Sequence, residues 1–98
     1  MRLTDGERDA ALLSLPGWHF DAEAGAIRRG LHFADFSAAF AFMTRVAMAA
    51  EKADHHPDWS NSWNTVHIAL STHSAGGVTT LDIDMARAID GYAGEGAL

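Results

Sequence analysis

Between Ala26 and Leu70 the hydrophobic period of this chain changes twice. Residues 26–33 alternate with a period of two, so Ile27, Arg29, Leu31 and Phe33 share one face while Arg28, Gly30 and His32 share the other. Residues 35–54 then repeat at helical spacing, and Val66, Ile68 and Leu70 return to strict alternation, with His67, Ala69, Ser71 and His73 on the opposite parity. A long helix between alternating strands cannot belong to an all-helical bundle or to a β-sandwich. It predicts an α+β domain in which a small antiparallel sheet buries one face under helices.

The flanks complete the order. Thr4-Asp5-Gly6-Glu7 spells a capping box, so a short helix follows with Ala11, Leu12 and Leu15 inward, ended by Pro16-Gly17. Trp18-His19-Phe20 and the turn from Asp21 to Gly25 make residues 26–33 the second arm of a hairpin, with Arg29 near the edge. Asp35 is the expected N-cap of the long helix. Trp59, Asn61 and Trp63 alternate after Pro57, and Asn64-Thr65 turns the chain into the strand at Val66. Thr79 caps a last helix, with Asp82 in its first turn, an inner stripe of Leu81, Met85, Ala88, Ile89 and Tyr92, and Gly91 as terminator. The expectation is a two-layer α-β-β-α-β-β-α sandwich: a four-stranded antiparallel sheet covered by helices on one face. With no linker or repeat in 98 residues, positions 1–98 read as a single domain.

The long helix carries two apolar lines. Phe36, Phe40, Met43, Ala47 and Ala50 read as the core stripe, and Ala39, Phe42, Val46, Ala49 and Ala53 as a second, surplus one. A monomer needs one such stripe. The second predicts contact with another subunit or a protein partner around Phe42, Val46 and Ala49.

Several classes are set aside by composition. A net charge of -6 with scattered basic residues argues against direct nucleic-acid binding. No apolar run approaches the ~20 residues of a membrane span. MRLTDGERDA lacks the apolar stretch of a secretory signal, so the expected location is cytoplasmic. Without cysteine there is no disulfide, thiolate ligand or thiol nucleophile.

Chemistry concentrates in EKADHHPDW, residues 51–59. His55 and His56 stand where the long helix stops, and Pro57 denies helical geometry to His56, so the two rings should splay apart. Glu51 lies four residues before His55 and five before His56, so its carboxylate can reach back across the last turn if that turn is helical. A carboxylate on one ring nitrogen fixes the tautomer and leaves the other nitrogen free to act. His73, at the exit of the last strand, could meet the loop after Pro57 at one end of the sheet. Asp82 is near enough in sequence to orient His73, and Trp59 or Trp63 could wall the site. Spacing alone leaves an acid/base site, a metal site and a purely structural role open for Glu51, His55, His56, His73 and Asp82. Adjacent histidines suit one metal ion poorly, and the i, i+4 pair of zinc helices is missing. Neither a phosphate-binding glycine loop nor a nucleophile elbow around Ser71 or Ser74 is present.

This arrangement resembles the pterin-4a-carbinolamine dehydratase family, also described as the dimerisation cofactor of a homeodomain transcription factor. The resemblance rests on Glu51, three residues, His55-His56-Pro57, five residues, Trp63, nine residues, His73, eight residues and Asp82. HFADFSAAFAFMTRVAMAAEKADHHPDW and VHIALSTH are also similar to family segments. It implies dehydration of 4a-hydroxytetrahydrobiopterin to a quinonoid dihydropterin without cofactor or metal, in tetrahydropterin recycling. His55 and His73 are implied as the proton-transfer pair and His56 as the residue that positions the pterin. Glu51 and Asp82 are implied to orient the histidines. Asp54, His55, His56, Trp59, Ser71, Thr72, His73 and Ser74 are implied to contact the substrate. Homodimers or homotetramers are implied too, formed through the 35–54 helix and a sheet edge, with a coactivator-like protein-binding role as the alternative.

Overall fold

The computed structural model describes residues 1–94. Its order is α1 (Asp5–Leu12), β1 (His19–Asp21), β2 (Ala26–His32), α2 (Phe36–Ala53), β3 (Asp58–Ser62), β4 (Thr65–Leu70), a single 3-10 turn (His73–Ala75) and α3 (Thr80–Ala93). The strands form one antiparallel sheet in the order β1-β2-β4-β3. The α+β sandwich expected from the period changes is the observed fold.

Local chemistry explains the elements. Thr4 accepts from the Glu7 amide while the Glu7 carboxylate accepts from the Thr4 amide, closing the capping box of α1. α1 nevertheless ends at Leu12, before Pro16-Gly17, because the chain tightens into successive short turns through Leu15. The β1–β2 turn is held by Asp21, whose carboxylate accepts from the amides of Glu23 and Ala24, and by Gly25 at φ 65°. Asp35 caps α2 through the Ala38 amide. Thr79 and Asp82 make a second capping box at the start of α3.

The alternation of β2 and β4 sorts the sheet faces. Ile27, Leu31, Val66, Ile68 and Leu70 are buried beneath the helices, while Arg28, His32 and His67 face outward. Each fully buried aliphatic contributes about 1.5–3 kcal/mol of transfer free energy. Arg29 is not at a sheet edge. It sits on the inner strand β2, on the helix side, and its guanidinium pairs with Asp90 of α3, which also accepts from the Trp18 indole. α2 and α3 pack on each other and on β4.

Two helix faces differ from expectation. The core side of α2 is Ala39, Phe42, Val46 and Ala50, whereas Phe36, Phe40 and Met48 are exposed. Ala39, Phe42 and Val46 of the line expected to be surplus join Ala50 of the expected core line, while Ala53 is exposed, so Phe42 and Val46 cannot form a docking surface. Ala39 and Ala50 let α2 approach its neighbours around Phe42, and Phe36 and Phe40 are left outside. On α3 the buried side is Asp82, Ile83, Met85, Ala86, Ile89 and Ala93. Leu81 and Tyr92 are exposed, and the helix passes through Gly91 to a cap at Gly94. Gly96, expected in a terminal loop, lies outside the described residues.

Candidate active site

α2 ends in a left-handed residue. Asp54 has φ 51° and ψ 42°, a conformation that aspartate tolerates better than most side chains. The reversal lets the His55 amide donate back to the Ala50 carbonyl at 3.0 Å. It also turns the His55 ring inward and leaves His56 outside, before Pro57 starts the extended run into β3. The two imidazoles therefore splay, as the proline requires.

Each ring meets a different carboxylate. His55 is buried, and its Nε2 lies 2.5 Å from Asp82 Oδ1. Asp82 is wholly buried and fully engaged. Its Oδ2 accepts from the Thr79 amide at 2.8 Å and from the Thr72 hydroxyl at 2.9 Å. Asp82 thus orients His55, not His73. Eight residues separate Asp82 from His73 in the chain, but α3 starts beside the end of α2 and brings its first turn to His55. His56 Nε2 lies 2.8 Å from Glu51 Oε1 on the surface, the pairing across the last turn of α2 anticipated for one of the two rings. His73 is 83% exposed, and Nε2 is 3.7 Å from Asp58 Oδ2.

Asp58 is the partner that sequence reasoning missed. It opens β3 opposite Ala69, near the end of β4, so the hairpin register carries it to the strand exit where His73 emerges. That register could have been counted back from the turn at residues 63–64.

One cavity of about 340 Å³ unites these groups at the end of the sheet. Segment 54–58 lines one side and segment 71–74 the other, so His55, His56 and His73 all border it. Asp54, Ser71, Thr72 and Ser74 lie on the same lining. Glu51 and Asp82 stand behind it as supports. Trp59 is elsewhere: it is half-buried, packed against the core from β3, and outside this lining. Trp63 is exposed in the β3–β4 turn at φ 51°, at the far end of the hairpin, and cannot wall the cavity of its own chain.

Hollows of greater volume lie around Arg2, Arg8 and Phe20, at about 490 Å³, and along Ala47 and Met48 of α2, at about 560 Å³. Neither is lined by histidine, whereas the 54–58/71–74 cavity is bordered by three imidazoles. Among the described residues, no group of three or more His, Asp or Glu side chains is placed to hold a metal ion. His55 Nδ1 has no protein partner among the described residues and is not sealed from solvent, so that nitrogen is free to meet a ligand.

A helix-backed four-stranded sheet with three imidazoles at one end, the innermost anchored on a buried aspartate, defines a small α+β domain with a histidine-bordered cavity. The model of the family described as pterin 4 alpha carbinolamine dehydratase matches residues 1–92, and the chain belongs to that family. A Rhizorhabdus wittichii protein named "Putative pterin-4-alpha-carbinolamine dehydratase" is 59% identical over 91 residues, covering 93% of this chain and 94% of its own length. A Rhodopseudomonas palustris protein of the same name is 54% identical, covering 96% and 93% respectively. The crystal structure of a "transcriptional coactivator/pterin dehydratase" from Brucella melitensis superposes with a TM-score of 0.93 at 50% identity, across 96% of this chain and all of that one.

Proposed function

We propose that this chain dehydrates pterin-4a-carbinolamines, 4a-hydroxytetrahydrobiopterin among them, to quinonoid dihydropterins in the cytoplasm, in support of tetrahydropterin recycling. One observation carries the reading: three imidazoles border a single cavity, and the innermost is bonded to a buried carboxylate. The cavity's volume falls at the lower end of the range for small-molecule sites, suited to a bicyclic ring held by one face or edge.

The reaction breaks the C4a–O bond and the N5–H bond. The hydroxyl leaves as water once it receives a proton, and the N5 electron pair forms the new C=N bond as N5 gives up its proton. One group donates while another accepts, so no net proton is consumed. In this reading His55 and His73, which come from opposite sides of the cavity, form that pair. His55 acts through Nδ1, since Asp82 holds Nε2. His56, tied to Glu51 at the rim, positions the pterin. Backbone and hydroxyl groups of Asp54, Ser71 and Ser74 meet the ring's polar edge.

Stopped-flow dehydration of a synthetic 4a-carbinolamine tests the assignment. Acceleration over the spontaneous reaction is expected. A purified protein that leaves the spontaneous rate unchanged between pH 6 and 8 ends the dehydratase reading.

A second reading concerns α2. The exposed Phe36 and Phe40 rings pack at 5.7 Å, and Met48, about two turns further along α2, is 71% exposed, so apolar side chains recur on the outside of the helix. The Brucella protein's coactivator description supports a protein-binding role on such a surface. Self-association as a homodimer or homotetramer through this face and a sheet edge belongs to the same reading.

A further inference from the structure

We propose that Thr72 is a positioning residue for His55, and that its hydroxyl serves Asp82 instead of the substrate. The inference rests on the dehydratase reading for its kinetic arm and on hydrogen-bond geometry for the rest. Thr72 borders the cavity, yet its hydroxyl is spoken for: Oγ1 lies 2.9 Å from Asp82 Oδ2 and 2.8 Å from Thr79 Oγ1. An ionised Asp82 only accepts, so the single Thr72 proton goes to Oδ2. Thr79 must then donate its own proton to Thr72 Oγ1, while its oxygen accepts from the Leu81 amide at 3.2 Å.

The chain of donors therefore has one direction. It begins at the first turn of α3, runs through Thr79 and Thr72, and ends on a carboxylate. With Oδ2 filled by Thr72 and the Thr79 amide, Oδ1 is the oxygen left for His55, and His55 Nε2 is the nitrogen that carries the proton. That leaves Nδ1 as the acceptor at the cavity. The carboxylate dictates the tautomer of the innermost histidine, and a threonine in the 71–74 segment, with the helix cap behind it, holds that carboxylate in place. Neither residue needs to touch the pterin.

Thr72→Val keeps the shape and removes the donor. The free protein, with no substrate, is read first by proton NMR, following the far-downfield resonance expected of the His55–Asp82 hydrogen bond. The position or exchange rate of this resonance changes in Thr72→Val and returns toward wild type in Thr72→Ser. In the carbinolamine assay, kcat falls about tenfold in Thr72→Val with KM little changed, the loss expected for one hydrogen bond to a charged group, and Thr72→Ser recovers most of it. A raised KM with the resonance unmoved would make Thr72 a substrate contact and overturn the proposal. A lowered Tm with both resonance and kcat unmoved would reduce Thr72 to fold support and overturn it as well. If wild-type protein has no dehydratase activity, the NMR arm still decides the hydrogen-bond chain on its own.

Discussion

His55 Nε2 and Asp82 Oδ1 stand 2.5 Å apart across the gap between the end of α2 and the start of α3. The bond joins a ring at the cavity to a carboxylate with no solvent exposure, and it leaves Nδ1 as the nitrogen without a protein partner among the described residues.

Replacing the imidazoles tests this arrangement directly. His55→Ala and His73→Ala are each expected to slow dehydration by about 10²–10⁴-fold, the usual worth of a positioned acid or base. His73→Ala should leave the melting temperature close to wild type, because that ring is mostly in solvent. Wild-type turnover in both single variants and in the double variant would remove histidine catalysis from the mechanism.

Asp82→Asn probes the tautomer. The amide oxygen must face the two donors at the Oδ2 position, which turns its NH₂ toward His55. His55 would then carry its proton on Nδ1 and lose the lone pair at the cavity. A carboxylate-to-amide change behind the catalytic histidine of a serine protease costs about 10⁴ in kcat by this route. A loss of at least ~10²-fold is expected here, together with about 1–3 kcal/mol of stability from the disturbed buried bonds. Full activity in a folded Asp82→Asn protein would contradict the proposed tautomer.

The two sides of α2 separate folding from association. Val46→Asp places an unpaired charge in the core and should destabilise the fold by on the order of 4 kcal/mol. Phe40→Asp changes an exposed position, so monomer stability should shift by no more than about 0.5 kcal/mol. If these outer apolar side chains mediate self-association, sedimentation velocity will show Phe40→Asp shifted to a smaller species. An unchanged species distribution would move the interface elsewhere.

Acid should weaken the N-terminal capping box. The Thr4 amide, followed by the Thr4 hydroxyl, holds the Glu7 carboxyl below its ordinary value of 4.5. A depressed carboxyl adds stability above its unfolded value and loses it as pH falls through the lower folded value. Glu7→Ala should therefore melt below wild type at pH 7, with the gap closing as the pH drops beneath about 4.5. A gap that stays constant down to pH 2 would mean that the charged carboxylate contributes nothing to the cap.

Much of this molecule could be read from residue order, and the failures have physical causes. The strands were legible because Ile27, Leu31, Val66, Ile68 and Leu70 alternate with polar neighbours, and the helix starts because Thr4, Asp35 and Thr79 are cap formers. The facing of α2 was not legible. Its two apolar lines have the same period, and hydrophobicity favours Phe36 and Phe40, while close packing against β4 and α3 favours Ala39 and Ala50. Burial followed the fit of each side chain to its neighbours, with Phe42 inside and Phe40 outside on the same helix, and no local pattern records that fit. The histidine cluster was visible as a set, and so was a Glu51 partnership with one of the adjacent rings, but the partner of Asp82 was not. Asp82 is closer in sequence to His73 than to His55, and only the packing of α3 beside the end of α2 reverses that preference.

The left-handed Asp54 has a consequence for sequence change in this loop. Two identical rings on neighbouring positions receive opposite fates because the chain doubles back one residue before them. Deleting Asp54 would move both rings back by one position, placing the first imidazole on the reversal itself and sending the second inward, with both imidazoles still present. The spelling of the histidine pair would survive such a deletion, but its meaning would not.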